Sequence, residues 1–270
     1  MIFTSFASGS SGNCTFIASK DTKILIDCGI SAKRIDESLK EIGYNDGAGC
    51  LDAVFITHEH ADHIKGLKRL MASYGIPVYS SAGTLKSLFK ATRDEYFHYA
   101  GVELMHVVTE GREVNIKDLR VIPFRTFHDS AMSLCYRVED GEHSSAVTTD
   151  TGYFDDYLRD MLLDLDVLLL EANHDRGMLV NGKYPVYLKR RIMSREGHLS
   201  NNSAGSLISE IISPKLKHVI LGHLSRDNNT PSLALKTVME EITARCGEEK
   251  AREVSISIAP PDKISELIRL

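Results

Sequence analysis

The chain has 270 residues, 43% of them hydrophobic and 26% charged, a composition typical of a folded globular protein rather than a disordered one. No apolar run approaches the roughly 20 residues that span a bilayer, and the first residues lack the regions of a signal peptide, so no membrane association is expected. The five cysteines are scattered and never spaced as Cys-x-x-Cys, which favours a reducing compartment and predicts a cytoplasmic protein. The formal charge of −5 does not exclude a nucleic-acid substrate, because bound divalent cations would add positive charge where a phosphate binds.

The first part of the chain predicts strands followed by amphipathic helices. Alternating β-formers predict strands at Ile2–Ala7, Asn13–Ala18 and Lys23–Asp27, with a hairpin turn at Lys20-Asp21. The Ser8–Asn13 link is either a plain loop or a wall of a site that offers backbone donors. Apolar residues at helical spacing and a short apolar run predict the next elements: helices Ser31–Ile42, Ala61–Tyr74 and Ala82–Lys90, and the strand Pro77–Ser80.

The second part alternates between strands and helices to the end of the sequence. It includes strands Val114–Ile116, Leu119–Phe127 and Ser133–Val138, a helix Ala204–Ile212, a strand Val254–Ile258 and a short helix Ile264–Ile268. No repeat and no Pro/Gly-rich linker interrupts the chain, so residues 1–270 are predicted to form one domain. His98, His106, His143 and His218 lack a matching pattern of partners and are predicted to be surface or core residues.

Five apolar runs each lead into a residue that can bind a metal or transfer a proton. The residues that follow these runs are His58, His128, Asp150, Glu171 and His223. In α/β enzymes the carboxyl ends of neighbouring strands meet at one edge of a sheet and deliver polar side chains to a common site. A structural protein has no reason to repeat this pattern five times, so the sequence predicts an enzyme site at one edge of a sheet.

The segment Thr57–His63 carries the strongest signal, because it packs three histidines and two carboxylates into seven residues after an apolar strand. His58 and His60 alternate, so in an extended segment both rings point to the same side. Asp62 and His63 fall where the next helix begins and can turn toward a second ion. The spacing therefore predicts two metal half-sites, against the alternative of a histidine-rich surface loop.

A dinuclear centre needs about three ligands for each ion and a carboxylate that bridges them. His58, His60 and His128 are predicted to hold one ion, and the other is assigned to Asp62, His63 and His223. Asp150 is the predicted bridge. Nitrogen and carboxylate ligands suit zinc, manganese or iron. Two points stay open: whether Asp129 replaces His128 as a ligand, and whether His174 also reaches a metal.

The segment His58–His63, followed in order by His128, Asp150 and His223, resembles the ligand signature of the metallo-β-lactamase superfamily in its dinuclear hydrolase form. The resemblance covers essentially the whole chain, beginning with the hairpin that ends at Leu25–Gly29. It implies an α/β fold (α+β in some classifications), a four-layer αββα sandwich with the metal site at the edge between the two sheets. It also implies attack by a hydroxide that bridges two divalent ions.

Three later segments resemble motifs of the nuclease branch. Glu171–Asp175, Gly197–Asn201 and Leu221–Asp227 are similar to the Glu-Ala-Thr, Gly-His-Ser-Thr and Thr-His-Phe-Ser segments of tRNase Z-type enzymes. By this resemblance His198 pairs with Glu171 and gives a proton to the leaving oxygen, and the catalytic residues are Asp62, Glu171 and His198. The chain lacks the long inserted arm with which tRNase Z-type enzymes grasp tRNA.

The chain most resembles the YycJ type of bacterial metallohydrolase. That resemblance implies a DNA exonuclease that acts from 5′ to 3′, with a role in repair and nucleic acid as its partner. The rival functions are a phosphodiesterase for a small or cyclic nucleotide, a thioester or amide hydrolase of the glyoxalase or lactamase type, and a non-hydrolytic metal protein acting in regulation or electron transfer. The sequence does not indicate an oligomeric state.

The predicted substrate contacts follow the catalytic residues along the chain. Four cations precede His198, and of these Arg191 is assigned to the substrate because arginine suits bidentate contacts with phosphate; the alternative is a solvated basic helix face. Ser200 and Asn201 precede a predicted helix and can hold a phosphate at its N-terminus or cap it, whereas Asn202 is predicted only to cap. The full set of predicted contacts is Asn173, His174, Arg191, Ser200 and Asn201.

Overall fold

The structure is a computed structural model that describes the backbone of residues 1–91 and 101–270 and the side chains of residues 1–89 and 101–270. His98 lies outside the described residues. The described strands are β1 (Ile2–Ala7), β2 (Cys14–Ala18), β3 (Lys23–Ile26), β4 (Ala53–Phe55), β5 (Val78–Ser80), β6 (Met105–Val107), β7 (Val114–Ile116), β8 (Leu119–Arg125), β9 (Leu134–Glu139), β10 (Ser144–Thr148), β11 (Val167–Glu171), β12 (His218–Gly222), β13 (Ser255–Ile258) and β14 (Ile268–Arg269).

The described helices follow the same chain order. They are α1 (Ala32–Glu41), α2 (Ala61–Ile64), α3 (Leu67–Tyr74), α4 (Ala82–Ala91), α5 (Asp156–Met161), α6 (Arg176–Asn181), α7 (Val186–Ile192), α8 (Asn201–Ile211), α9 (Pro231–Cys246) and α10 (Glu248–Glu253). None of these helices combines the length and apolar character needed to cross a bilayer.

The strands form two seven-stranded mixed sheets, one in the order β14-β1-β2-β3-β4-β5-β6 and the other in the order β13-β12-β11-β10-β9-β8-β7. A buried apolar layer between the sheets combines side chains from both, such as Phe3 and Phe55 from the first and Tyr136 and Leu169 from the second. Two further apolar clusters lie on the outer faces, one under α1 and α3 and the other under α8 and α9. The predicted four-layer αββα sandwich is confirmed.

Most predicted elements are present with ends shifted by one or two residues, but the predicted helix Ala61–Tyr74 is wrong as a single element. It is broken into α2 and α3 around Gly66. The backbone N–H of Gly66 donates to the Cys28 carbonyl at 2.8 Å, and a Cβ at this position would lie 2.4 Å from the Ile30 carbonyl oxygen. The close approach of the loop after β3 therefore interrupts the helix.

The prediction of a final helix at Ile264–Ile268 is also wrong. Ile268 lies instead in β14, which pairs with the free edge of β1. Ser265, just before it, exchanges backbone and side-chain hydrogen bonds with Ser5, including a 2.9 Å bond from the Ser5 N–H to the Ser265 hydroxyl. An unpaired strand edge exposes backbone donors and acceptors. β14 pairs with Ile2 and Phe3 of β1 and so provides partners for part of this edge.

A truncation in the layer between the sheets tests the packing of the sandwich. Phe55 is fully buried, with its ring 4.8 Å from Tyr79 and 5.3 Å from Tyr136. We expect Phe55→Ala to lower the free energy of unfolding by about 3–5 kcal/mol, because a cavity replaces the ring. Denaturant unfolding measures this change. Val186→Ala, at an exposed position, is the control and is expected to change it by less than about 0.5 kcal/mol; equal losses would contradict the packing.

Candidate active site

The candidate site lies where parallel strands end. β10, β11 and β12 are parallel neighbours in the second sheet. Asp150 follows β10, Glu171 is the last residue of β11, and His223 follows β12 directly. The carboxyl ends of neighbouring parallel strands share one edge, so these three side chains meet although they are far apart in sequence. β4 in the first sheet brings His58 to the same place from the other side of the sandwich.

Three residues at these strand ends have a backbone in the left-handed region, which non-glycine residues rarely adopt. They are Asp27 (φ 61°), Asp150 (φ 55°) and His223 (φ 54°). Neighbouring groups hold the turn at His223: its N–H donates to the Ser8 hydroxyl at 2.8 Å, and the Asn173 amide donates to its carbonyl at 2.9 Å. Such conformations persist only where the surroundings enforce them, and they occur often at functional sites.

The first group of metal-type donors comprises three histidines. His58 Nε2 lies 3.0 Å from His60 Nδ1, which lies 3.3 Å from His128 Nε2. Within this group the donor atoms are all within 4.8 Å of one another. His58 and His128 are buried, and three imidazole nitrogens that converge away from bulk water match the donor set of a zinc-type ion. The structure therefore brings the predicted first ligand set together.

The second group comprises Asp62, His63 and His223. Asp62 Oδ2 lies 3.5 Å from His63 Nε2 and 3.7 Å from His223 Nε2. Asp150 faces both groups, with one carboxylate oxygen 3.2 Å from His63 Nε2 and the other 3.8 Å from His128 Nε2. This is the placement that a bridging carboxylate requires.

Two buried atoms of the cluster make no well-aligned hydrogen bond within the described part of the chain, although each lies within 4 Å of another metal-type donor atom. They are Asp150 Oδ2 and His223 Nε2. Leaving a buried polar atom unpaired costs about 1–3 kcal/mol, and both atoms point into the cluster. Unpaired buried donors of this chemistry fit divalent cations, so the residues present suit a metal centre. The structure does not fix the identity or the number of the ions.

The second ring nitrogen of several histidines is held from outside the cluster. His63 Nδ1 lies 2.7 Å from Asp27 Oδ2, His223 Nδ1 lies 2.7 Å from Glu171 Oε1, and His128 Nδ1 lies 3.3 Å from the Gly197 carbonyl. Carboxylates and carbonyls in this role fix the orientation and tautomer of metal-binding histidines. The arrangement is that of ligands held ready for a metal.

Asp27 is a functional residue that the sequence analysis missed. It is buried, and its carboxylate also accepts from the Thr57 N–H at 2.8 Å and from the Thr57 hydroxyl. The signal was present, because Asp27 ends the apolar run of β3 in the same way as the five residues that were identified. The Ser8–Asn13 link likewise forms a wall of the site, since the Asn13 amide lies 3.2 Å from Asp62 Oδ2.

Glu171 makes four contacts although it is completely buried. Its Oε1 accepts from Nδ1 of His198 at 2.8 Å and from Nδ1 of His223 at 2.7 Å. Its Oε2 accepts from the backbone N–H groups of Thr151 and Leu199. The expected pair of Glu171 and His198 is present, and the same carboxylate also orients His223.

The surrounding histidines favour the ionised form of the carboxylates in the cluster. Burial alone would raise the pKa of Glu171, but the His198 and His223 rings lower it. The pKa values of Asp62 and Asp150 are likewise lowered, against the effect of burial, by contacts with His63 and His223. Metal binding releases the protons of the histidines, and the ionised carboxylates then balance part of the positive charge of the ions.

Comparison with known proteins agrees with this geometry. The family described as "Beta-lactamase superfamily domain" matches residues 22–223. The chain belongs to this superfamily. Exodeoxyribonuclease YycJ of Bacillus anthracis is 34% identical over 240 residues, covering 88% of each chain. Exodeoxyribonuclease WalJ of Streptococcus pneumoniae serotype 2 is also 34% identical, covering 89% of this chain and 87% of its own.

A comparison with solved structures finds the same fold in other proteins. The metallo-β-lactamase fold protein YhfI of Bacillus subtilis has a TM-score of 0.68 at 17% sequence identity, covering 98% of both chains. This likeness concerns the fold alone. The match of residues 22–223 to the superfamily and the relative that aligns over 88% of each chain show that this protein is a metallo-β-lactamase-fold hydrolase.

The structure gives two of the predicted substrate contacts a partner within the protein. The Arg191 guanidinium forms a bidentate pair with Asp129, with Nη2 2.9 Å from Oδ1, so a phosphate would have to compete with this carboxylate. Both carboxylate oxygens of Asp129 accept hydrogen bonds from Arg191, so the geometry does not favour Asp129 over His128 as a metal ligand. Asn173 is buried, and its amide holds the His223 carbonyl, so Asn173 positions a ligand-type residue instead of facing a cleft.

The residues at the start of α8 also differ from the prediction. Ser200 caps the helix by accepting from the Ser203 N–H at 3.2 Å, whereas the Asn202 amide donates to Glu241 and does not cap. Asn201 is completely buried, and both ends of its amide pair with Asn229, which leaves it no group for a substrate. Serine and asparagine are both favoured at the N-cap of a helix, so the sequence alone could not show which of these residues is the cap.

His174 is buried beside this turn. Burial lowers its pKa to about 4, so the ring is neutral near pH 7. Its Nδ1 has no hydrogen-bond partner among the residues that the structure describes. It is not part of the donor groups that surround Asp150, so the structure gives no support for a direct metal contact, and a substrate contact stays a prediction.

Gly152 determines how closely the turn before His198 approaches the metal-type residues. A Cβ on Gly152 would lie 2.3 Å from the Ser194 carbonyl oxygen and 2.5 Å from the Gly197 nitrogen. Such distances are far inside van der Waals contact, so a side chain there would push the turn outward. The glycine therefore lets His198 approach Asp150, with His198 Nδ1 3.5 Å from Asp150 Oδ1.

A pocket of about 600 Å³ adjoins the cluster at Asp62. Its walls combine apolar side chains of α2, α3 and α4 with hydroxyl and ammonium groups. The residues that line the pocket include Ser10, Ser11, Ile64, Lys65 and Leu67. A volume of this size beside metal-type ligands suits a small organic group such as a nucleoside.

Replacing the carboxylate between the two donor groups tests the bridging role. We expect Asp150→Asn to weaken the binding of both ions by at least about tenfold. Loss of a residue that only orients a metal ligand typically lowers metal affinity by about this factor, so loss of a ligand should lower it at least as much. Metal content after dialysis, measured by mass spectrometry for zinc and for manganese, checks this. Glu59→Gln is the control, because the Glu59 carboxylate faces the Ala131 N–H and the Thr84 hydroxyl. Loss of one ion alone would refute the bridge.

Proposed function

We propose that this hydrolase cuts phosphodiester bonds in nucleic acid and removes nucleotides from a 5′ end of DNA. The observation that carries the proposal is the position of His198 beside the two donor groups. Its ring centroid lies 5.3 Å from that of His128 and 5.3 Å from that of His223. A histidine placed between the two ligand sets is suited to protonate an oxygen that leaves phosphorus.

We assign the ions to the two donor groups, with His58, His60 and His128 in one, Asp62, His63 and His223 in the other, and Asp150 shared. Divalent ions bound there, with zinc, manganese and iron as the candidates, would polarise the phosphoryl oxygens and lower the pKa of a water molecule. The protein itself holds these ligands in a fixed arrangement. Asp27 and Glu171 contribute by hydrogen bonding to the Nδ1 atoms of His63 and His223, on the side of each ring that faces away from the proposed ions.

His198 is the proposed general acid. Its Nδ1 donates to Glu171 Oε1, which fixes the ring so that Nε2 turns away from Glu171. His198 Nε2 has no partner in the described ranges 1–91 and 101–270, and the side chain is 15% exposed. One ring nitrogen can therefore reach a substrate while the other stays hydrogen-bonded to a buried carboxylate. This arrangement suits a histidine that donates a proton.

Asp62 is proposed to have a second role at the entrance. Its side chain is 24% exposed, whereas that of Asp150 is only 4% exposed. Asp62 is therefore the carboxylate of the cluster that an incoming water or substrate can reach. We assign it to guide the attacking water as well as to bind an ion, in agreement with its predicted place among the catalytic residues.

The choice of DNA rests on relatives, and the choice of the 5′ end rests on the resemblance of the sequence to YycJ-type enzymes. The two named above are exodeoxyribonucleases at 34% identity along nearly their whole length. A repair role and a cytoplasmic location complete the proposal. The five free cysteines, of which Cys14, Cys28 and Cys135 are buried, suit the reducing conditions of that compartment.

A small or cyclic nucleotide is the second candidate substrate. The pocket at Asp62 favours it, because about 600 Å³ is enough for one nucleoside. The two candidates differ in what happens to a polymer. The metal-loaded protein should be incubated with end-labelled single-stranded and duplex DNA, the same sequences as RNA, and thymidine 5′-(p-nitrophenyl phosphate). Progressive loss from the 5′ end of DNA supports the exonuclease, and cleavage of the ester alone supports the second candidate.

The role of His198 is tested by the leaving group. We expect His198→Ala to lower kcat on DNA by about 10²–10⁴-fold, because a nucleoside alkoxide leaves only when it is protonated. The loss on the p-nitrophenyl ester should be much smaller, because p-nitrophenolate leaves without a proton. Steady-state rates on both substrates measure the difference.

Two controls accompany this variant. Metal content must match the wild type, since His198 is not assigned to either ion. His106→Ala replaces an exposed histidine on β6 and is expected to leave both rates unchanged. An equal loss on the two substrates would refute proton donation by His198 without refuting hydrolysis.

A further inference from the structure

Arg195 is exposed, and its guanidinium lies over aromatic rings. Its Cζ is 4.0 Å from the centroid of the Tyr153 ring and 5.6 Å from that of Phe127. No carboxylate among residues 1–89 and 101–270 pairs with it. A cation–π contact of this kind holds the planar guanidinium in place while its outer face and its N–H groups stay open to a ligand.

The other cations of the same basic run are committed elsewhere or lack such a platform. Arg191 is occupied by Asp129, and Lys189 Nζ donates to the Val180 carbonyl at 2.7 Å. Arg190 is exposed on α7 and has no aromatic ring beneath it in the described part of the molecule. Arg195 is thus the cation of this run that is both positioned and available.

The two rings beneath Arg195 lie outside the buried core, although Tyr153 also stacks on Phe154, with the ring centroids 6.3 Å apart. Tyr153 is 39% exposed, and its ring meets that of Phe127 edge to face at 5.4 Å. Neither belongs to the three apolar clusters of the described residues, although the neighbouring Phe154 packs against one of them. Partly exposed aromatic rings outside the core are typical of surfaces that bind a ligand.

These three residues, here called the Arg195 stack, border the candidate active site. Phe127 directly precedes His128, Tyr153 lies three residues after Asp150, and Arg195 lies three residues before His198. Hydrogen bonds join the segments: the Gly152 N–H donates to the Phe127 carbonyl at 3.0 Å, and the Asp129 N–H donates to the Glu196 carbonyl at 3.2 Å. The segments that carry the stack therefore adjoin the segments that carry His128 and His198.

We propose that the Arg195 stack binds an unpaired nucleobase next to the phosphodiester bond that is cut. Bases stack on aromatic rings and on arginine planes regardless of sequence, and the guanidinium edge can contact the adjoining phosphate. A base in a closed duplex has both faces covered by its neighbours, so the site selects single strands or frayed ends. This inference rests on the proposed nuclease function and specifies the form of nucleic acid that the enzyme uses.

The experiment pairs variants of the protein with a change in the substrate. Single-stranded DNA is compared with the same strand carrying an abasic residue at its 5′-terminal nucleotide, and kcat and KM are measured for wild type, Arg195→Ala and Arg195→Lys. We expect both variants to raise KM on normal DNA by about tenfold, because loss of one stacked base typically weakens binding by roughly 5- to 150-fold, and we expect a smaller change in kcat. On the abasic strand the variants should differ little from wild type, because the stacking partner is already gone.

Tyr153→Leu removes the aromatic platform and is expected to raise KM on normal DNA as Arg195→Ala does, whereas Tyr153→Phe keeps a ring and is expected to raise KM less than Tyr153→Leu. Arg190→Ala is the matched control for charge on the same surface, and metal content with thermal unfolding verifies that each variant is folded. An equal penalty on normal and abasic strands, a wild-type KM for Arg195→Lys, or equal effects of Arg190→Ala and Arg195→Ala would each overturn the stacking role. If wild type cleaves neither strand, the nuclease function itself fails.

Discussion

The buried carboxylate of Glu171 is the interaction on which the rest of the site depends. One of its oxygens accepts from His223, a metal-type ligand, and from His198, the proposed acid, while the other is held by two backbone N–H groups. A buried charge is tolerated only when hydrogen bonds surround it, and here those bonds come from three separate segments. The distance between the metal centre and the proton donor is therefore set by a single side chain.

Much of this arrangement was predictable, because it follows from rules that act along the chain. Apolar strands that end in polar residues place those residues at one sheet edge, which located His58, Asp150 and His223 and predicted the two donor groups. The sandwich itself followed from the resemblance of His58–His63 to a superfamily signature. Applying the same strand-end rule to β3 would have found Asp27, which was overlooked because it stands alone without neighbouring histidines.

The errors arose where partners distant in sequence decide the outcome. Arg191 and Arg195 look equivalent in the sequence, but Asp129 neutralises the first and two aromatic rings support the second. Helical spacing continues through Gly66, yet a loop from before α1 packs so closely there that the helix divides. The Ile264–Ile268 segment has a helical pattern, and only the unpaired edge of β1 makes a strand of its end.

The space at Gly152 has a consequence for how the protein responds to heat. Because a Cβ on Gly152 would lie only 2.3 Å from the Ser194 carbonyl oxygen, the loop after β10 and the turn before His198 pack backbone against backbone. Separating these two segments would move Asp150 and His198 apart in the same event. We therefore expect heating to remove the ligand geometry and the proton supply together rather than one after the other.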